Sequence, residues 1–143
     1  MATERKASVT WYGDLMSGEG TIESVTSGVL GRLEVDWANR AEDAQGKTSP
    51  EELIAAAHAA CFAMALSNGL AKDGHAPERL ETSATVTFVP GTGITKSALT
   101  VTGTVPGLDE DGFRRAAEDA KENCPVSSAL KGNVELELDA RLA

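Results

Sequence analysis

The amino-acid sequence predicts one α+β domain with mostly antiparallel sheet, spanning residues 1–143. Segments with strand composition occur in groups instead of alternating strictly with helices. A long segment in the middle, TSPEELIAAAHAACFAMAL, is nearly all alanine and other apolar residues, which indicates a buried central helix. The last segment, NVELELDARL, alternates apolar and charged residues without a slip, which is typical of a strand with one solvated face.

The N-terminal third is predicted to form strands followed by a loop. KASVTWY has strand composition, and GTIESVTSG and VLGRLEVDW are predicted to be an antiparallel pair separated by Ser27 and Gly28. The next segment, NRAEDAQGKTSP, is polar and has no periodicity, so we predict a loop that carries Arg40.

The central helix has clear start and stop signals. Ser49 is the predicted N-cap, Pro50 occupies the first helical position, and Glu52 lies three residues after the cap, as in a capping box. Glu51 and Glu52 also suit the positive end of the helix dipole. The helix is predicted to end near Lys72, where an Asp-Gly pair follows.

A hairpin and two further helices are predicted before the final strand. RLETSATVTFVP and GITKSALTVTGTVP are rich in threonine and valine, and the Pro-Gly-Thr-Gly segment that joins them predicts a long β-hairpin. DEDGFRRAAEDAKEN has the spacing of an amphipathic helix. CPVSSALKG is predicted to form a short helix with Cys124 at its cap, Pro125 at its first position and Gly132 past its end.

Charge and composition narrow the classes of function. The formal net charge of -9 and a pI near 4.7 argue against nucleic acid and anionic membranes as partners, because phosphate binding needs a basic surface. No run of ~18 apolar residues is evident, so no segment is expected to span a bilayer. MATERKASVT lacks an apolar stretch, as expected for a cytoplasmic protein. Two cysteines are too few for a secreted disulfide scaffold, so the pair is either redox-active or catalytic, or simply two buried thiols.

The two cysteines occupy different environments. Cys124 precedes a helix, where free backbone N–H groups and the helix dipole lower the pKa of a thiol, although a plain cap is an equal alternative. Cys61 lies in the middle of the apolar helix, and such cysteines are usually core filler. An apolar site would raise the pKa of Cys61, so its reactivity would need a cation from elsewhere. Arg40 is the best candidate for that cation.

His58 and Glu51 lie on the same helix as Cys61. His58 is one turn before Cys61 and could serve a thiol–imidazole pair or a metal site, although a histidine bonded to a backbone carbonyl is the plainer alternative. Glu51 precedes Cys61 by ten residues, which is about 15 Å along a helix. It could support the Cys61 of a second copy if two such helices packed antiparallel, although capping alone would explain it.

These motifs resemble one protein family. SPEELIAAAHAACFAMAL, followed far downstream by ENCPVSSAL, resembles the OsmC/Ohr family, the osmotically inducible and organic hydroperoxide resistance proteins. The similarity extends to the opening WYGDLMSGEGTIE, the ITKSAL segment and the final VELEL strand, and AHAACF is closer to the OsmC branch. The resemblance implies an OsmC-like fold, with mostly antiparallel sheets around a long central helix, and an intertwined homodimer with active sites built from both chains.

The resemblance also implies a thiol-dependent peroxidase that reduces organic hydroperoxides in oxidative and osmotic stress defence. Cys61 matches the peroxidatic cysteine and Cys124 the resolving cysteine, which would form an intrachain disulfide. Glu51 matches the carboxylate that pairs with a catalytic arginine, which Arg40 matches. A dithiol such as dihydrolipoamide or a lipoylated protein would restore the thiols, without metal or other cofactor. An apolar wall around Cys61, formed by Phe62 and Met64 and extended by Trp37, would favour alkyl or fatty hydroperoxides over hydrogen peroxide.

The sequence is also compatible with three interpretations other than a peroxidase. The first is a redox-responsive binding module that uses the same cysteine pair without fast turnover. The second is a structural dimer whose cysteines are core filler. The third is a metal site formed by His58, Cys61 and Cys124.

Overall fold

The computed structural model describes all residues, Met1–Ala143, and divides into two compact units. The N-terminal unit is Met1–Pro50 and the C-terminal unit is Glu51–Ala143. The chain contains two three-stranded sheets and one long helix. The predicted α+β class is therefore confirmed, while the single domain over residues 1–143 stays a prediction.

The N-terminal unit is a small antiparallel sheet followed by one turn of helix. Its elements are β1 (Ala7–Tyr12), β2 (Glu19–Val25), β3 (Leu33–Val35) and α1 (Trp37–Ala41). The strand order is β1-β2-β3, and both pairs are antiparallel. The sequence predicts the antiparallel pairing of β2 with β3. Ile22 is the only large hydrophobic residue of this unit that is buried.

Arg40 lies in α1 and not in a loop, which corrects the sequence-based prediction. Asp36 caps this helix, because its carboxylate accepts a hydrogen bond from the backbone N–H of Asn39 at 2.8 Å. Lys47 Nζ also bonds the carboxylate at 2.8 Å, and the hydrogen bonds from Lys47 and Asn39 lower the pKa of Asp36 to about 2. Five residues are too few to show helical periodicity, so only the cap could have indicated this helix.

The C-terminal unit holds the long helix, a second sheet and two shorter helices. Its elements are α2 (Pro50–Lys72), β4 (Arg79–Val89), β5 (Gly93–Thr104), α3 (Glu110–Asn123), α4 (Pro125–Leu130) and β6 (Glu135–Leu142). The sheet order is β4-β5-β6. β4 and β5 form the predicted antiparallel hairpin, and β6 pairs parallel to β5, because the chain returns through α3 and α4 before β6.

The glycine that follows α2, Gly74, terminates this helix. Gly74 has a φ of 84°, in the left-handed region that glycine adopts without steric cost. The N–H of His75 bonds the carbonyl of Leu70 at 2.8 Å, and the N–H of Gly74 bonds that of Ala71 at 3.1 Å. These two bonds form a Schellman motif, which ends the helix at Lys72 as the Asp-Gly pair predicts.

The core of the C-terminal unit lies where α2 and α3 pack on the sheet. Phe62, Leu66 and Leu70 of α2 are fully or almost fully buried, and Phe113 of α3 is buried with them. The ring of Phe113 packs directly on Gly103 of β5, where a Cβ would lie only 2.5 Å from the ring Cζ. Any side chain at position 103 would displace the ring. Gly103 therefore allows α3 to lie close to the sheet.

The predicted burial of α2 holds for one face only. Ala56, Ala57 and Ala60 are exposed on the other face, and Met64 is 72% exposed. By length and composition alone α2 could cross a membrane, contrary to our expectation that no segment is apolar enough. The core helix of a globular domain meets the same two criteria, and the buried stripe of α2 is part of such a core. The exposed apolar face is left without a partner in the single chain.

Candidate functional site: two adjacent thiols

The N-terminus of α4 holds Cys124. Cys124 is the N-cap of the helix, and its sulfur accepts a hydrogen bond from the backbone N–H of Ser127 at 3.5 Å. Pro125 occupies the first turn, as the sequence predicts. The side chain of Cys124 has no exposed surface. This cysteine therefore combines burial with direct contact to the positive end of a helix.

Cys61 of α2 lies beside Cys124. The two thiols are free, Cys61 packs against the buried cluster that contains Cys124, and each thiol shifts the pKa of the other. Cys61 is only partly buried, and the backbone N–H of Val126 in α4 acts to lower the pKa of its thiol. Sequence separation gave no information on this proximity, because it depends on how α4 packs against α2. Such neighbouring free thiols meet the first requirement for a disulfide, which is proximity of the two side chains.

The pKa values of the two thiols move in opposite directions. Burial raises the pKa of Cys61, and the Cys124 sulfur adds to the rise, although the N–H of Val126 opposes it. Burial also opposes ionisation of Cys124, but the N–H of Ser127, the Cys61 thiol and the Ser127 hydroxyl together lower the pKa of Cys124. Within the C-terminal unit, Cys124 therefore ionises before Cys61. The sequence predicts both directions for thiols at these positions, and the direction at Cys61 is the one expected without a cation.

His58 does not pair with either cysteine. Its ring is fully buried, with Nδ1 2.7 Å from the hydroxyl of Ser97 and Nε2 2.8 Å from the hydroxyl of Ser127. The expected bond to a backbone carbonyl and the suggested thiol–imidazole pair are both wrong, because serine hydroxyls occupy both ring nitrogens. Burial lowers the pKa of His58, so the ring is neutral near pH 7. No group of three or more His, Cys, Asp or Glu side chains in the structure could hold a metal ion.

A groove of about 550 Å³ opens beside Cys61. Its apolar lining comes from α2, α3 and α4, namely from Met64, Ala65, Ala116, Ala120 and Pro125. Its polar lining lies mainly at the C-terminal ends of α2 and α3, namely at Asn68, Lys72, Asp73, Asp119 and Asn123. Met64 therefore lines the approach to the thiol as expected, whereas Phe62 points into the core and not into the groove.

Arg40 and Glu51 belong to different units. Arg40 is half-buried and lines an apolar pocket of the N-terminal unit with Trp11, Leu15 and Trp37. Glu51 is 6% exposed and lies in the first turn of α2. Because α2 is continuous from Pro50 to Lys72, Glu51 stays about 15 Å from Cys61 along the same helix. The roles of both residues stay predictions.

Sequence reasoning missed the two serines that contact His58. Ser97 lies in the middle of β5 and Ser127 in the first turn of α4, and both are fully buried. Ser127 is three residues after the cap, where a backbone N–H is known to meet the cap side chain. That spacing could have singled it out, whereas nothing in the sequence around Ser97 distinguishes it from the other polar residues of β5.

Comparisons with known proteins give one consistent family. Residues 42–139 match the family described as OsmC-like protein. The chain is 42% identical to "Peroxiredoxin OsmC" of Escherichia coli (strain K12) over 140 residues, which is 96% of each chain. It is 31% identical to "Organic hydroperoxide resistance protein OhrB" of Bacillus subtilis (strain 168) over 111 residues, 76% of this chain and 81% of that one.

A solved structure agrees with the sequence relatives. The crystal structure of OhrB of Bacillus subtilis superposes with a TM-score of 0.72 and 29% identity, covering 94% of this chain and 97% of that chain. The OsmC-like fold expected from the motifs is thus confirmed over nearly the whole length. The chain belongs to the OsmC family.

Proposed function

We propose that this protein is a cysteine-based peroxidase that reduces organic hydroperoxides to alcohols in stress defence. The adjacent thiol pair carries this proposal, because two free thiols that shift each other's pKa, one of them lining a largely apolar groove, suit a cycle of thiol oxidation and disulfide formation. The printed names of the relatives, a peroxiredoxin and an organic hydroperoxide resistance protein, support the same class of reaction.

The cycle has three balanced steps. The Cys61 thiolate attacks the distal oxygen of the hydroperoxide, the O–O bond breaks, and with one proton the products are a sulfenic acid and an alcohol. The Cys124 thiolate attacks the sulfenic sulfur, the S–O bond breaks, and with one proton the products are a disulfide and water. An external dithiol, such as dihydrolipoamide or a lipoylated protein, then reduces the disulfide by exchange and becomes a disulfide itself. A reducing cytoplasm, our proposed location, would keep both thiols free between cycles.

Arg40 is proposed to supply the positive charge that Cys61 needs. Burial and Cys124 together raise the pKa of Cys61, so within its own unit the peroxidatic sulfur would keep its proton. A guanidinium stays charged at every accessible pH and binds anions with a planar set of donors. Glu51 would orient that guanidinium through a bidentate pair. The family resemblance motivates both assignments.

A homodimer is proposed to complete the site. The exposed face of α2 carries small residues and Met64, which would allow a second helix to approach closely. Large apolar side chains of the N-terminal unit are also exposed, among them Trp11, Tyr12 and Met16. An antiparallel arrangement of two α2 helices would bring Glu51 of one copy toward Cys61 of the other. Light scattering that shows only a 14.9 kDa monomer would exclude this assembly.

Steady-state turnover tests the proposed function directly. With dihydrolipoamide as reductant, the protein should consume cumene hydroperoxide continuously, and hydrogen peroxide at least about tenfold more slowly because the groove favours apolar groups. Thiol titration should show both thiols lost after peroxide and regained after reductant. Stoichiometric oxidation without turnover would instead favour the redox-responsive binding module. Equal rates for both peroxides would remove the assigned substrate class.

Mixing two inactive variants tests whether Glu51 acts across the dimer. Glu51→Gln and Cys61→Ser should each be strongly impaired, whereas their refolded mixture should recover about a quarter of wild-type activity, because half of the dimers are mixed and each has one complete site. Glu52→Gln is the matched control, since Glu52 is the exposed neighbour, and should stay active. An active Glu51→Gln variant, or a mixture without recovery, would contradict the assignment.

A further inference from the structure

A line of buried hydrogen bonds joins His58 to the resolving cysteine. Nδ1 of His58 meets Ser97 at 2.7 Å and Nε2 meets Ser127 at 2.8 Å. The backbone N–H of Ser127 bonds the sulfur of Cys124 at 3.5 Å, and the Ser127 hydroxyl is one of the groups that lower the pKa of Cys124. All four side chains have no exposed surface. The proposed reaction uses only Cys124 of this set.

Because the ring of His58 is neutral, one of its nitrogens donates and the other accepts. The hydrogen bonds along this line can therefore be arranged in two opposite donor–acceptor directions. If Ser97 donates its O–H to Nδ1, then Nε2–H donates to the oxygen of Ser127, and the O–H of Ser127 is free to donate to the sulfur of Cys124. If Nδ1–H donates to Ser97 instead, then Nε2 accepts the O–H of Ser127, which can then only accept from the Cys124 thiol. The first direction stabilises Cys124 as a thiolate, whereas the second requires Cys124 to be a protonated thiol.

Because Cys124 is buried, the direction of these hydrogen bonds affects how well its thiolate is stabilised for the reaction. A sulfur anion without surface contact with water must be stabilised by protein donors, and hydrogen bonds to a charged group are the strong ones. The N–H of Ser127 is fixed by the helix, so it donates in every state. The hydroxyl of Ser127 is the donor that can turn, and the imidazole N–H on its oxygen determines where its proton points.

We propose that His58 and Ser127 are positioning residues for the resolving step: His58 directs the hydroxyl of Ser127 onto the sulfur of Cys124, which stabilises the thiolate that attacks oxidised Cys61. This inference rests on the proposed peroxidase function. In the step itself the Cys124 thiolate and the Cys61 sulfenic acid, with one proton, give the disulfide and water. His58 and Ser127 change neither their bonds nor their net charge.

Ser127→Ala tests the proposal with little disturbance, because the variant keeps the backbone N–H that bonds Cys124. The resolving step should slow about tenfold near neutral pH, while the attack of Cys61 on peroxide should change less than about twofold. Ser128→Ala is the matched control, since Ser128 is the next residue of α4 and is exposed. Rapid-mixing measurements with one equivalent of cumene hydroperoxide separate the two steps.

His58 is tested by a pair of substitutions. His58→Leu should slow the resolving step as Ser127→Ala does, and the double variant should be no slower than Ser127→Ala alone, because His58 acts through Ser127. His58→Gln should restore the rate to within about threefold of wild type, since its amide N–H can donate where Nε2–H did. A resolving rate in His58→Leu equal to that of the wild type would overturn the proposal.

Two measurements need no turnover, so they distinguish this inference from the peroxidase proposal. In a Cys61→Ser background, the ultraviolet absorbance of the thiolate should show the Cys124 pKa rising by about one unit on Ser127→Ala and not on Ser128→Ala. In the wild-type protein, nitrogen NMR at a pH where Cys124 is ionised should show the proton of His58 on Nε2. An unchanged Cys124 pKa, or a proton on Nδ1, would overturn the inference even if peroxide turnover is found.

Discussion

Cys61→Ser should abolish peroxide turnover. A serine hydroxyl is not ionised near neutral pH and is a far weaker nucleophile toward peroxide than a thiolate, so the first step has no substitute group. The substitution removes a single partly buried sulfur and replaces it with a smaller oxygen, so the fold should persist. The measurement is consumption of cumene hydroperoxide with dihydrolipoamide in excess.

Cys124→Ser is the matched variant for the second thiol. It should still react once with peroxide at a near wild-type rate, and it should then accumulate a sulfenic acid on Cys61 that oxidises further, because no thiol remains to resolve it. Mass spectrometry identifies the added oxygen atoms and their position. Retained turnover in Cys61→Ser, together with loss of the first step in Cys124→Ser, would show that Cys124 is the peroxidatic cysteine and Cys61 the resolving one. The lowered pKa of Cys124 in the single chain is compatible with that exchange.

Arg40→Ala should slow the attack of Cys61 on peroxide by about 10²-fold near neutral pH. Without a guanidinium, burial and the Cys124 sulfur leave the pKa of Cys61 raised, so only a small fraction is thiolate. Arg40→Lys should recover part of the rate, because lysine supplies the charge without the planar set of donors. The rate of sulfenic acid formation in single-turnover experiments reports this step alone.

Arg32→Ala is the control for a general loss of positive charge. Arg32 belongs to the same unit as Arg40, and its side chain is 83% exposed, with an ion pair to Glu23 only at 3.8 Å. It should leave the peroxide reaction unchanged, since an exposed pair of this kind contributes little. A wild-type rate in Arg40→Ala would show that another group ionises Cys61.

Local signals in the sequence were sufficient for most of the fold. The glycine after α2, the proline after Cys124 and the alternation of β6 each act over a few residues, and each predicted its element. The short helix α1 was missed because one turn has no periodicity. The parallel pairing of β6 with β5 was also missed, because strand direction depends on the path through α3 and α4.

The site was only partly accessible to sequence reasoning. The position of Cys124 at a helix N-terminus follows from its neighbours, so the direction of its pKa could be predicted. The proximity of Cys61 and Cys124 follows from no local pattern, because it joins residues 63 positions apart through tertiary packing, and only the family resemblance implied it. The predicted partners of His58 were wrong for the same reason. Ser97 and Ser127, which contact its ring, belong to a strand and a helix far along the chain.

The pKa of Cys61 in the assembled protein is the most direct test of this account. It is best measured in Cys124→Ser, where Cys61 is the single thiol, by following thiolate absorbance as the pH rises. We expect the pKa of Cys61 to lie below the ordinary 9.0, and to rise when Arg40→Ala is added. A value at or above the ordinary 9.0 that Arg40→Ala leaves unchanged would contradict the account, because the peroxidatic sulfur would then be protonated and remote from the proposed guanidinium.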